Sequence, residues 1–171
     1  MLRLLKQVIK SGIKTEAYPL TDDALRVTLD RLQAAVLEHF HGALAIRHVD
    51  AGSCNGCELE IIQLNCPYYN LEGLGIKFVA SPRHADMLLV TGPVSRNMEV
   101  ALKRTFEATP DPKLVVAVGD CGCNGGIFGE NYASCGRVSN VIPVDVAVPG
   151  CPPTPVAVMQ GILTAIEVKK A

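Results

Sequence analysis

The sequence has no tryptophan, only four tyrosines and four phenylalanines, and no excess of either charge: 16 Lys+Arg stand against 17 Asp+Glu in 171 residues, a formal charge of −1. Without a basic excess to follow a phosphate backbone, or aromatic surface to stack bases, a nucleic-acid role is disfavoured. Charged residues make up only 19% and hydrophobic residues 49%. That excludes disorder as the dominant state and leaves ample apolar material for one packed core. So little charge also points to an exterior partly covered by partner subunits. Long apolar runs are missing too: none approaches the roughly 18 residues of a membrane span. The opening Met-Leu-Arg-Leu-Leu-Lys-Gln-Val-Ile-Lys lacks both an uninterrupted signal-type stretch and a twin-arginine pair. The sequence reads as soluble or membrane-peripheral.

Charge is uneven along the chain. Residues 1–20 carry four basic residues and one acidic, the remainder twelve and sixteen. Leu2, Leu4, Leu5, Val8 and Ile9 fall on one side of a helical wheel and Arg3, Lys6 and Lys10 on the other, with Gly12 as a stop. Such a helix suits a bilayer interface or a groove on a partner. A second helix is predicted over Asp22–Phe40, with Leu25, Leu29, Leu32 and Val36 at helical spacing. From Ala43 the texture changes to short apolar runs, and strands are predicted at Leu44–Val49, Ile76–Ala80, Met87–Val90, Leu114–Val118 and Val144–Val148. Helices are predicted between and after them at Glu58–Leu64, Met98–Ala108 and Val156–Val168. Strands apolar on both faces alternating with helices describe an α/β fold with a mainly parallel sheet.

The seven cysteines, Cys54, Cys57, Cys66, Cys121, Cys123, Cys135 and Cys151, are an odd number, which argues for thiols used as ligands or redox groups over a disulfide framework. Three of their segments follow predicted strands: Asp50-Ala-Gly-Ser-Cys-Asn-Gly-Cys-Glu-Leu-Glu60, Val118-Gly-Asp-Cys-Gly-Cys-Asn-Gly-Gly126 and Val148-Pro-Gly-Cys-Pro-Pro153. Strand ends are where open α/β sheets bind ligands. A C-x-x-C pair puts two sulfurs on one turn, and the glycines let backbone approach a bulky inorganic group. Cys-Pro also closes ferredoxin-type cluster runs. Four thiolates on three converging loops would make a [4Fe–4S] socket. Structural zinc prefers two tight pairs, and only one is present; a dithiol using Cys54 and Cys57 would leave the other loops unexplained. Cys123 stands two residues from Cys121 and competes with it, whereas Cys66 and Cys135 read as inert.

These residues carry a family likeness. Gly52-Ser-Cys-Asn-Gly-Cys-Glu-Leu-Glu60, Ser81-Pro-Arg-His-Ala-Asp86, Thr91-Gly-Pro93, Pro110-Asp-Pro-Lys113, the Gly-Asp-Cys loop with Gly125-Gly126, and Ile142-Pro-Val-Asp145 through Pro149-Gly-Cys-Pro-Pro153 resemble the small electron-transfer subunit shared by energy-converting, membrane-bound nickel–iron hydrogenases and respiratory complex I, where it is the 20 kDa or B-type subunit. The resemblance implies a flavodoxin-like sheet flanked by helices, with residues 1–42 as a helical extension and 43–171 as the iron–sulfur domain. It implies one [4Fe–4S] cluster on Cys54, Cys57, Cys121 and Cys151, with Cys123 not a ligand. In complex I the first two ligands are adjacent; the two residues between Cys54 and Cys57 resemble the hydrogenase branch, such as formate hydrogenlyase.

The implied role is that of a non-autonomous electron-transfer subunit of an oxidoreductase, peripheral on the cytoplasmic face of a membrane complex. Its implied partners are a large nickel–iron-hydrogenase-like or complex I-like catalytic subunit, a ferredoxin-like subunit and membrane-arm subunits. A complex I-type role in NADH-linked quinone reduction and a zinc-binding assembly module stand as alternatives. Asp50, Glu58, Glu60, Arg83, His84 and Asp120 are candidates for tuning the cluster or contacting partners, Glu60 because it matches an acidic position of the family motif. His39, His41 and His48 read as structural.

Overall fold

The computed structural model describes residues 23–168; the helix expected over the first ten residues, its stop at Gly12 and the expected helix start at Asp22 lie outside them. Five strands, β1 (Leu44–Asp50), β2 (Ile76–Phe78), β3 (Met87–Thr91), β4 (Leu114–Val118) and β5 (Val146–Val148), form one sheet in the order β2-β1-β3-β4-β5. Every neighbouring pair is parallel. This is the flavodoxin-like order, in which the winding reverses between β1 and β3.

The strands are apolar on both faces because both faces are covered. Alternate residues divide between two layers, as a period of two requires. Ile46, Met87, Leu89, Leu114, Val116 and Val118 join a core closed by α1 (Asp23–Phe40), α2 (Gly56–Gln63) and α5 (Pro155–Val168), through Leu32, Val36, Ile61, Leu64, Met159 and Ile162. Val49, Leu88, Val90, Val115 and Ala117 face the other way, against Leu102 of α3 (Arg96–Ala108) and Val138 and Ile142 of the loop before β5.

Two strands are shorter than their apolar runs. β2 ends at Phe78, although Val79 N–H still donates to Ile46 O (2.9 Å), and Pro82–His84 form a 3₁₀ turn. β5 begins at Val146 because Asp145 takes over the hydrogen bonding before it: its N–H donates to Val115 O (2.9 Å) while its carboxylate accepts from Val115 N–H (2.7 Å). One short helix, α4 (Gly119–Asn124), falls outside the helices expected from the sequence. It carries two of the cysteines and puts them on a helical turn directly after β4.

Candidate functional site

The three cysteine segments leave the C-terminal ends of β1, β4 and β5. After β1, the Asp50 carboxylate accepts the N–H groups of Gly52 and Ser53, both at 2.8 Å, and closes a tight turn. Burial opposes its charge, but these amides and the Ser53 hydroxyl outweigh it and hold the Asp50 carboxyl below its ordinary range. Ala51 N–H donates to Thr91 O (3.0 Å) and Ser95 N–H to Ala51 O (2.8 Å), tying this turn to the segment after β3. Asn55, in the left-handed region at φ 72°, then opens α2, so Cys57 lies in its first turn.

Glycine makes the sulfur positions possible. A Cβ built on Gly119 (φ +85°) would stand 2.5 Å from Cys57 Sγ, and one on Gly126 (φ +55°) 2.7 Å from Cys121 Sγ. A side chain at either place would fill the space beside a thiol. From the other side, a Cβ on Gly56 would meet Cys54 Sγ at 3.5 Å and Pro152 Cβ at 3.9 Å, so the α2 turn abuts the Cys151-Pro152 segment.

Neighbouring thiols act on Cys57 and Cys121. Cys57 is pushed up to about 12 by burial first, then by the Glu58 charge and by Cys54, Cys121 and Cys151. Cys121 is raised by burial, then by Cys151, Cys54 and Asp120. Four sulfurs thus share one region at the end of the sheet, Cys54 and Cys151 exposed and Cys57 and Cys121 half-buried. Cys123 is not among the groups that raise Cys57 and Cys121. Its Sγ lies 3.6 Å from Ala117 O, and it lines a hollow of about 230 Å³ with Val144 and Asp145. Burial, then Asp120, pushes it up to about 11. Cys135 is buried, its thiol donating to Glu99 Oε2 (3.3 Å), and Cys66 is half-buried after α2.

The chemistry of this donor set fits an iron–sulfur cluster: four thiols on strand-end segments, with glycine backbone beside two of the sulfurs. Among the described residues, no three His, Cys, Asp or Glu side chains are gathered tightly enough to hold a single metal ion.

Of the other expected residues, the fold brings Asp120 into the site and sends Arg83 and His84 elsewhere. The Asp120 carboxylate accepts Gly150 N–H (2.8 Å), and its own N–H donates to Gly150 O (2.8 Å). Arg83 and His84 are exposed on the 3₁₀ turn that leads into Asp86. Asp86 N–H bonds Ala45 O (2.8 Å), at the N-terminal end of β1 and so at the end of the sheet opposite the cysteines. Glu60 acts on Tyr69, behind that residue's own burial and the nearby Tyr68 and Cys66, and it is not among the groups acting on Cys57 or Cys121.

The carboxylate beside the thiols is Glu58, buried with neither oxygen hydrogen-bonded. Its Oε1 lies 3.8 Å from His48 Nε2. That nitrogen is 3.0 Å from Thr91 Oγ1, whose hydroxyl is placed to donate to Val49 O (3.5 Å), which makes His48 Nε2 the donor to Thr91. The sequence does contain a signal for this arrangement: Glu58 stands three residues before the apolar Ile61, on the inward stripe of α2. His48, expected to be structural, is half-buried beside this carboxylate, and burial favours its neutral form.

The family described as the 20 kDa subunit of NADH ubiquinone oxidoreductase matches residues 54–165, a span that starts at Cys54 and includes all four converging thiols. The chain belongs to this family. Among its relatives, the probable membrane-bound hydrogenase subunit mbhJ of Pyrococcus furiosus is 43% identical over 86% of this chain and 89% of its own length. Formate hydrogenlyase subunit 7 of Escherichia coli is 42% identical over 86% of this chain but only 57% of its own. The B-type subunit of the NADH-quinone oxidoreductase of Desulfovibrio desulfuricans is 41% identical over 66% of this chain and 61% of its own. In three dimensions the fold resembles a chain of the membrane-bound sulfane sulfur reductase, an archaeal respiratory membrane complex, with a TM-score of 0.66 and 34% identity over 86% of this chain and 77% of that one. The flavodoxin-like architecture expected from the sequence is therefore the one this family member adopts. No helix among the described residues is long and apolar enough to cross a membrane.

Proposed function

We propose that this chain is the electron-transfer subunit of a membrane-bound, hydrogenase-type oxidoreductase complex, with Cys54, Cys57, Cys121 and Cys151 holding one [4Fe–4S] cluster. The observation that carries this reading is the arrival of the three cysteine segments at one end of the sheet, after β1, β4 and β5, with Gly119 and Gly126 leaving the space beside Cys57 and Cys121 and Gly56 abutting Cys54 and Pro152. A bound cluster of this type supplies reversible one-electron transfer, at a potential set by hydrogen bonds, charge and burial. The protein's part is to hold the four sulfurs, to bring glycine backbone close to them, and to leave Cys54 and Cys151 on an exposed rim where a partner protein docks. Glu58 adds a buried carboxylate on the inner side. Peripheral attachment at the cytoplasmic face, next to a large catalytic subunit, a ferredoxin-like subunit and a membrane arm, completes the reading. The C-x-x-C spacing and the longer matched span in the hydrogenase relatives favour that branch over the quinone-reducing one.

The test is anaerobic purification of the complex, with iron and sulfide analysis and EPR after dithionite reduction. About four iron and four sulfide per chain and a reduced-cluster signal are expected, both lost in Cys151→Ser and both kept in Cys123→Ser. Stoichiometric zinc with a silent spectrum would overturn the reading, and a cluster that survives Cys151→Ser but not Cys123→Ser would overturn the ligand set.

A further inference from the structure

We infer that Asp120 is a positioning residue that fixes Cys121 and Cys151 relative to each other, acting through the backbone of Gly150; the inference rests on the ligand set proposed above. Cys121 leaves β4 on α4 and Cys151 leaves β5 on an irregular segment, and no regular ladder continues past Val118 and Val148. Nothing in the sheet therefore sets the distance between these two thiols. Asp120 supplies the missing connection twice. Its N–H donates to Gly150 O at 2.8 Å, and its Oδ1 accepts Gly150 N–H at 2.8 Å.

The residues just before the two cysteines are thus joined in a closed two-bond ring, much as a further rung of ladder would join them. Gly150 fits this role because it lies at φ +135°, and a Cβ there would come within 2.6 Å of Pro153 Cα. The other half of the site is tied down by backbone bonds alone, where Ala51 N–H donates to Thr91 O and Ser95 N–H to Ala51 O. The thiols accordingly ride on two pinned halves, Cys54 with Cys57 and Cys121 with Cys151. The halves meet where Gly119 lies against Cys57 and Pro152 lies near Gly56.

Only the side-chain bond can be removed by mutation, and Asn keeps an acceptor oxygen in the same place. In the metal-free full chain, hydrogen exchange at the Gly150 amide should accelerate about tenfold in Asp120→Ala and stay within about twofold of the parent in Asp120→Asn. In the purified complex, Asp120→Ala should lower iron occupancy and alter the EPR line shape of the reduced cluster, while Asp120→Asn restores both. Unchanged Gly150 exchange in Asp120→Ala would overturn the proposal. So would Asp120→Asn with a protected Gly150 amide but the spectrum of Asp120→Ala, since charge would then be the operative property. If the parent complex carries no cluster, the ligand reading fails, and the exchange measurement still decides whether Asp120 pins Gly150.

Discussion

Gly119 is the residue on which the site's geometry turns, and its two burdens can be separated. Its positive φ costs any side chain about 1–2 kcal/mol, and a Cβ would collide with Cys57 Sγ. Gly129 has a similar backbone, φ +58°, with nothing within 4 Å of a built Cβ. Gly129→Ala should therefore lose stability in urea unfolding from the backbone alone and Gly119→Ala at least as much, but only Gly119→Ala should lose iron, because Cys57 must rotate out of place. Equal iron content in the two variants would refute this. His48 makes a second prediction at the same scale. Burial holds it below 6.5 in spite of the Glu58 and Asp50 charges, with Arg47 pushing the same way as burial. The unfolded chain then binds more protons than the folded one as pH falls below 6.5, so this contribution to stability is complete above that value and is lost toward lower pH. His48→Gln should flatten the fall in urea midpoint between about pH 7.5 and pH 5; an unchanged slope would assign the acid sensitivity to other groups.

At the scale of elements, two aspartates of the family-like segments turn out to start strands. Asp86 Oδ2 accepts Ala45 N–H (2.9 Å), as Asp145 Oδ2 accepts Val115 N–H, and each donates its own N–H to the same partner residue's carbonyl. Each carboxylate stands in for a backbone carbonyl that a preceding strand residue would have offered. Asp86→Ala or Asp145→Ala should cost about 1–2 kcal/mol by leaving a backbone N–H without its acceptor, with the reduced-cluster spectrum unchanged; a lost spectrum in either would place that residue in the site. Apolar runs made β1, β3, β4 and the long helices readable from sequence, because burial on both sides demands such runs. They could not reveal α4, since Gly-Asp-Cys-Gly-Cys-Asn has no apolar period and is held by its ends. They also overran β2 and β5, since hydrophobicity does not mark where a proline turn or an aspartate replaces the ladder.

For the whole molecule, the three cysteine loops were legible as strand-end segments, and what escaped was which face each side chain takes. Residues two apart on a helix point to nearly opposite sides, which separates Cys121 from Cys123 and Glu58 from Glu60 once α4 and α2 exist as helices. Spacing alone treats each pair as neighbours. The same architecture bears on how far the fold depends on metal. Both core layers are apolar and the sheet is laddered throughout, and of the seven cysteines only Cys57 packs against the first layer and only Cys135 belongs to the second. Small metal-nucleated domains unfold without their ion, but this chain has a core that does not need one. Loading must instead draw protons off thiols, of which Cys121 is raised and Cys57 is pushed up to about 12, in both cases chiefly by burial. Chelating the iron from the purified chain should leave its far-UV circular dichroism intact and release protection from hydrogen exchange at residues 50–57, 119–126 and 149–155, with β3 and β4 unchanged. It should also make reloading slower as pH is lowered, because fewer thiolates are available to capture metal. Global loss of exchange protection on chelation would show that the four sulfurs hold the fold together, and that the sheet is not the independent scaffold its two apolar layers describe.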